Sequence, residues 1–223
     1  MSRRIVDLTL TIEEGMTTFP VHWHPFVEIT MLGRHGMENR ETRKLVLGTH
    51  TGTHIDAPRH FIRDGETIEN IPLDPMVGPA AVLDFHDAPD HHEVDLKQLQ
   101  AAIGDRPLER LLLRFDWDRH LRTNAYYSNH PFLSEEACEW LVARGCRMIA
   151  MDTPMPDNPV NGRGTPKDSP NHVILLGAGV LIVEYLCNLR SLTQEVVELV
   201  VAPLKIHEGD GAPARVFAIE ETA

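Results

Sequence analysis

Residues 48–61 read GTHTGTHIDAPRHF and gather His50, His54, Asp56 and His60 around Gly52 and Pro58. Imidazole and carboxylate are the donors favoured by zinc and its first-row neighbours, whose bonds of about 2.0–2.2 Å require the donor atoms to converge on one point. His54 and Asp56 are two residues apart, which in an extended segment sets both on one face with Cα atoms roughly 6.6 Å apart, a span one ion can bridge. His50 stands four residues before His54, about 13 Å away in a fully extended chain, so the segment must bend between them. Thr51-Gly52-Thr53 supplies the bend, because Gly52 can take positive φ or admit a bulge and the flanking hydroxyls can bind local backbone or the groups behind the ligands. Pro58 then stiffens the exit toward His60.

A lone histidine is more often a surface or core residue than a ligand. Three of them with a carboxylate and a glycine hinge weigh against that reading here, and a segment organised by a metal explains why strand periodicity breaks. His22 and His24 in FPVHWHPF, and His91 and His92 in PDHHEV, lack such a setting and are read as exposed or substrate-facing. Glu184 ends the apolar run GVLIV, where a carboxylate needs a cation or water; a surface glutamate at a strand end is the alternative.

The 223 residues suit one domain, 1–223, with a substantial core, and 42% apolar with 24% charged residues is ordinary for a globular chain. A formal charge of −12 leaves no basic stripe to displace counterions, so no nucleic-acid partner is expected. The start, MSRRIVDLTLTIEEGM, is interrupted by Asp7, Thr9 and Thr11 and reads as a first strand rather than a signal peptide, and no run reaches the length of a membrane span. Cys138, Cys146 and Cys187 are odd in number and form no C-x-x-C, which predicts reduced, buried packing thiols in a cytoplasmic protein.

The elements that must position the motif alternate without a strict βαβ rhythm. RIVDLTL, VEITML, TRKLVLG, PAAVLDF, RLLLRFDW, CRMIAMD, VLIVEYL, VVELVVAPLKI and ARVFAIE read as strands. VDLKQLQAAI has helical spacing, and Ser134 can cap EEACEWLVARG, whose glutamates suit the positive helix end. HVILLGAG predicts a short helix broken at its glycines. Between Thr153 and Asn171 lies a Pro/Gly/Asn-rich stretch long enough to be a lid or binding loop. The fold class expected is α/β with a mixed, curved sheet and flanking helices.

HTGTHIDAPRH resembles the pattern H-x-G-T-H-x-D-x-P-x-H of the cyclase family of metal-dependent hydrolases, to which bacterial kynurenine formamidases (arylformamidases) and isatin hydrolases belong. The resemblance runs from IVDLTLTIEEGM to GDGAPARVFAIE and implies a swivelling β/β/α-like fold. It implies that His50, His54 and Asp56 hold one metal, that Asp56 bridges to a second, and that His60 is the proton donor and acceptor. The family's second site uses a later histidine and a glutamate twelve positions on, which fall on His172 and Glu184 in NHVILLGAGVLIVE. The isatin-hydrolase branch lacks that glutamate and works with one metal, so Glu184 resembles the two-metal branch. Two divalent ions are implied, zinc first and manganese as the substitute.

Formamidases of the family also carry an aromatic-Pro-Gly-Asp stretch near the N-terminus, and here Phe19 and Pro20 are followed by Val21 and His22. Phe19 and Trp23 are the expected aromatic wall for the substrate, with core or rim packing as the alternative. The reaction implied is metal-dependent hydrolysis of a formamide or lactam in a small aromatic compound, N-formylkynurenine first. Isatin-type lactam hydrolysis and cyclase or dehydratase chemistry are the alternatives within the family. Non-catalytic metal binding is disfavoured, since His60 would be superfluous in a closed site and no cysteine joins the ligands. A homodimer or homotetramer is the implied assembly.

Overall fold

The computed structural model describes residues 2–165 and 167–222. In chain order the strands are β1 (Ser2–Asp7), β2 (Glu28–Gly33), β3 (Thr42–Val46), β4 (His54–Asp56), β5 (Val77–Asp84), β6 (Glu93–Val94), β7 (Arg110–Arg114), β8 (Phe132–Leu133), β9 (Met148–Met151), β10 (Leu181–Glu184), β11 (Val196–Pro203) and β12 (Gly211–Thr222). The helices are α1 (Leu96–Ile103), α2 (Asn124–Ser128), α3 (Glu135–Ala143) and α4 (Pro170–Gly177). Ser134 caps α3 by accepting from the Ala137 N–H, and Asp95 with Gln98 closes a capping box on α1.

The main sheet runs β1-β12-β11-β5-β7-β9-β10-β4, and β4 pairs a second time with the start of β12. The sheet therefore curls until it closes on itself, and β1 takes over the same edge of β12 farther along, with Ile5 opposite Ile219. Neighbours β5, β7, β9 and β10 are parallel, each step needing a crossover that the helices provide, while the remaining pairs are antiparallel. This is the mixed, curved α/β sheet expected. VEITML and TRKLVLG form β2 and β3, but these pair with each other as a hairpin outside the main sheet.

Side-chain alternation divides the core in two. Leu112, Ala150, Val183, Leu199 and Val216 fill the interior of the closed sheet, while Leu111, Leu113, Ile149 and Ile182 face outward onto Leu99 of α1, Leu141 of α3 and Leu175 of α4. Cys138 and Cys146 belong to this outer layer, and all three cysteines are free and buried. Among the described residues no helix is long and apolar enough to cross a membrane.

Candidate active site

The bend sits where the sequence placed it. Gly52 takes φ +60, and the Thr53 hydroxyl donates to the Tyr185 carbonyl at 2.6 Å while accepting from the Leu10 N–H at 2.9 Å. These bonds fix the entry to β4, whose three residues are all buried. His54 stands opposite Glu184 of β10, and Asp56 stands opposite Ile182 on one side and Gly211 of β12 on the other. β4 is thus the seam that closes the sheet and also the strand that carries the motif.

His54 directs Nε2 at Asp56 Oδ1 (3.3 Å) and Glu184 Oε2 (3.4 Å), its Nδ1–H donating to the Gly52 carbonyl at 2.8 Å. His172, in α4, directs Nε2 at Asp56 Oδ2 (3.4 Å) and Glu184 Oε1 (3.2 Å), and its Nδ1 is held by Asp157 at 2.5 Å. His50 uses the opposite ring edge, with Nδ1 2.7 Å from Asp56 Oδ1 and Nε2 2.8 Å from Asp210 Oδ2. Each imidazole therefore has one nitrogen fixed by an acceptor behind it and the other aimed at a buried carboxylate, the arrangement that sets tautomer and direction in metal-ligating histidines. Asp56 Oδ2 and Glu184 Oε1 are buried without a hydrogen bond. Donor atoms of His54, Asp56 and Glu184 lie within 4.8 Å of one another, as do those of His50, Asp56 and His60. This donor set fits divalent cations. The distances group His60 with His50 and Asp56, whereas the resemblance gives that place to His54.

Two adjacent buried carboxylates demand positive charge. Burial raises the Asp56 carboxyl, but His50, His172 and His54 outweigh it and hold the group well below the usual carboxylate range. Glu184 is pushed up, by burial first and then by the charge on Asp56. His50 is driven up to about 10 because Asp56 and Asp210 overcome the opposing effect of burial. His60 is lowered by its own burial, and it stacks on His50 with ring centroids 3.8 Å apart. Its Nδ1 lies 3.3 Å from Asp210 Oδ2.

The cluster floors a pocket of about 370 Å³. Phe19, Trp23, Phe61 and Tyr127 line it, and Phe19 meets Tyr127 edge-on at 5.8 Å. Trp23 is 64% exposed, a rim position. His24 also faces the pocket, its ring 6.1 Å from that of His50, and burial with the nearby imidazoles lowers it to about 4. The stretch 153–171 contributes Pro154, Met155, Asn158, Asn161 and Arg163 to the wall and ends as the first turn of α4, which starts at Pro170. Tyr185, directly after Glu184, takes φ +56, a conformation that costs a non-glycine residue roughly 1–3 kcal/mol and persists where neighbours over-determine it.

The structure brings His50, His54, Asp56, His60, His172 and Glu184 together and sets Phe19 and Trp23 in the same pocket. Sequence reasoning did not find Asp210 or Asp157. Each lies in a turn-rich stretch, GDG or PDNP, and the only available signal was an aspartate among turn residues.

Residues 6–158 match the family model Cyclase. A kynurenine formamidase from Bacillus cytotoxicus is 33% identical over 210 residues, which cover 94% of this chain and 94% of that protein. Isatin hydrolase A from Ralstonia solanacearum superposes with a TM-score of 0.88 at 26% identity, over 98% of this chain and 92% of that one. A potential metal-dependent hydrolase with cyclase activity superposes with a TM-score of 0.74 at 26% identity, over 100% of both chains.

Proposed function

The chain belongs to the cyclase family of metal-dependent hydrolases, and from that premise we propose that it is an arylformamidase, cleaving N-formylkynurenine to kynurenine and formate. The observation that carries this reading is the buried pair Asp56 and Glu184, with three imidazoles aimed at it from the floor of an aromatic-walled pocket. In this reading His50, His54, Asp56, His172 and Glu184 would hold two divalent ions, zinc by preference and manganese as the substitute. What a divalent cation supplies when bound is Lewis acidity, which polarises a carbonyl and makes water acidic enough to attack near neutral pH.

The chain's own residues do the rest. Asp210 fixes Nδ1 of His60, so Nε2 is the atom that takes the proton from the attacking water and returns it to the aniline nitrogen as the C–N bond breaks. The aromatic wall orients the ring, and the segment 153–171 limits access of bulk water. Hydrolysis of an isatin-type lactam is the second reading, favoured by the close superposition on an isatin hydrolase. The protein is read as a cytoplasmic homodimer or homotetramer with a small aromatic substrate. Incubation with N-formyl anilines, lactams and esters, followed by product mass, tests the assignment. Formate and a free aniline are expected, and a cyclised or dehydrated product overturns it.

A further inference from the structure

Arg163 is the one lysine or arginine among the described residues lining the pocket, and it belongs to neither the metal cluster nor the proton path. Its guanidinium carbon lies 4.5 Å from the centroid of the Phe19 ring. The acidic groups of the pocket are engaged elsewhere: Asp157 holds His172, Glu184 faces His54 and His172, and Asp168 accepts from the Gly164 N–H and the Ser169 hydroxyl. Among the described residues no carboxylate forms an ion pair with Arg163.

Two hydrogen bonds flank Arg163. The next residue, Gly164, takes φ +70 and donates its N–H to Asp168 Oδ2 at 2.5 Å, while the Thr165 hydroxyl donates to the Gly162 carbonyl at 2.5 Å. A guanidinium stacked on an aromatic ring uses its face for that contact and keeps its edge, with paired N–H donors, for a carboxylate. We propose that Arg163, held over Phe19, recognises a carboxylate that the aromatic substrate carries away from its scissile bond. The inference takes its substrate from the formamidase reading, since N-formylkynurenine has an amino-acid carboxylate, whereas a neutral lactam would leave this arginine unused. Arg163 is then a specificity-determining residue and takes no part in bond breaking.

The test compares wild type with Arg163→Gln and Arg163→Lys in two measurements. In the first, kcat and KM are determined for N-formylkynurenine and for N-formylaniline, which lacks the carboxylate. Losing a charge-assisted bond should raise KM for N-formylkynurenine roughly 10- to 100-fold, with kcat much less affected. The preference for N-formylkynurenine over N-formylaniline falls with it, and Arg163→Lys recovers only part because lysine lacks the planar fork. The second measurement is equilibrium binding of kynurenine and of kynuramine, which differs only in lacking the carboxylate, to the metal-loaded protein; it requires no turnover. Wild type should favour kynurenine, and Arg163→Gln should erase that preference. An unchanged KM and an unchanged preference for kynurenine in Arg163→Gln overturn the proposal, as does a wild type that binds both ligands alike. If wild type hydrolyses neither formyl compound, the formamidase reading falls, and the contrast between kynurenine and kynuramine still decides the role of Arg163.

Discussion

Asp56 faces imidazoles with both oxygens, Oδ1 toward His50 and His54 and the unpartnered Oδ2 toward His172. Replacing it with Asn removes one negative charge from a site that is to hold two dications, so Asp56→Asn should lose metal and activity together in elemental analysis and assay. His60→Ala should separate the two, keeping metal near the wild-type level while kcat falls by roughly 10²–10⁴, the range for losing a positioned proton-transfer group. Full turnover in that variant would remove the acid/base role. Asp210→Asn should weaken metal retention against a competing chelator by roughly 10- to 100-fold, because Asp210 orients His50 from behind. Retention equal to wild type would leave Asp210 without that function. Spacing alone made legible the four motif residues, which fall within eleven positions, and the family resemblance added His172 and Glu184. Asp210 meets His50 across 160 residues and Asp157 meets His172 only because α4 docks against its own preceding loop, and no spacing rule encodes either contact.

β4 does two jobs, closing the sheet and presenting His54 and Asp56, and Gly211 of β12 is where they meet. A Cβ at Gly211 would lie 2.7 Å from the Ile55 carbonyl oxygen and 2.8 Å from Cε1 of His50. Backbone of a buried strand cannot give way cheaply, so Gly211→Ala should cost about 1–3 kcal/mol and loosen metal as well, read by thermal unfolding with and without added zinc. A variant as stable and as metal-rich as wild type would show that β4 and β12 tolerate separation. Local rules found α1 from the helical spacing of VDLKQLQAAI and α3 from Ser134, a cap that stands beside the residues it serves; the Asp95 cap of α1 emerged only in the structure. They found β2 and β3 as strands too, yet period-two patterning says nothing about which sheet a strand joins. The closure through β4 and β12 was equally hidden, being set by pairing between residues 54–56 and 211–213.

At the scale of the molecule, the β2–β3 hairpin stands outside the closed sheet and exposes Leu32, Met37 and Leu45, with Phe26 just before it. A two-stranded hairpin is marginal in water without a surface to cover it. The proposed homodimer or homotetramer would provide one, and light scattering during size exclusion should give a multiple of the 25.1 kDa chain; a monomer at micromolar concentration would speak against that assembly. The closed sheet, the buried His/Asp/Glu cluster and the aromatic-walled pocket belong to a metal-dependent hydrolase, and the proposal is that it cleaves a formamide with two cations. The most direct test is to strip the protein with a chelator, return zinc in measured equivalents, and follow formate released from N-formylkynurenine. A two-cation formamidase should give no release at zero zinc and a rise to a plateau at two equivalents per chain. Formate release by the stripped protein, or a plateau already complete at one equivalent, would contradict it.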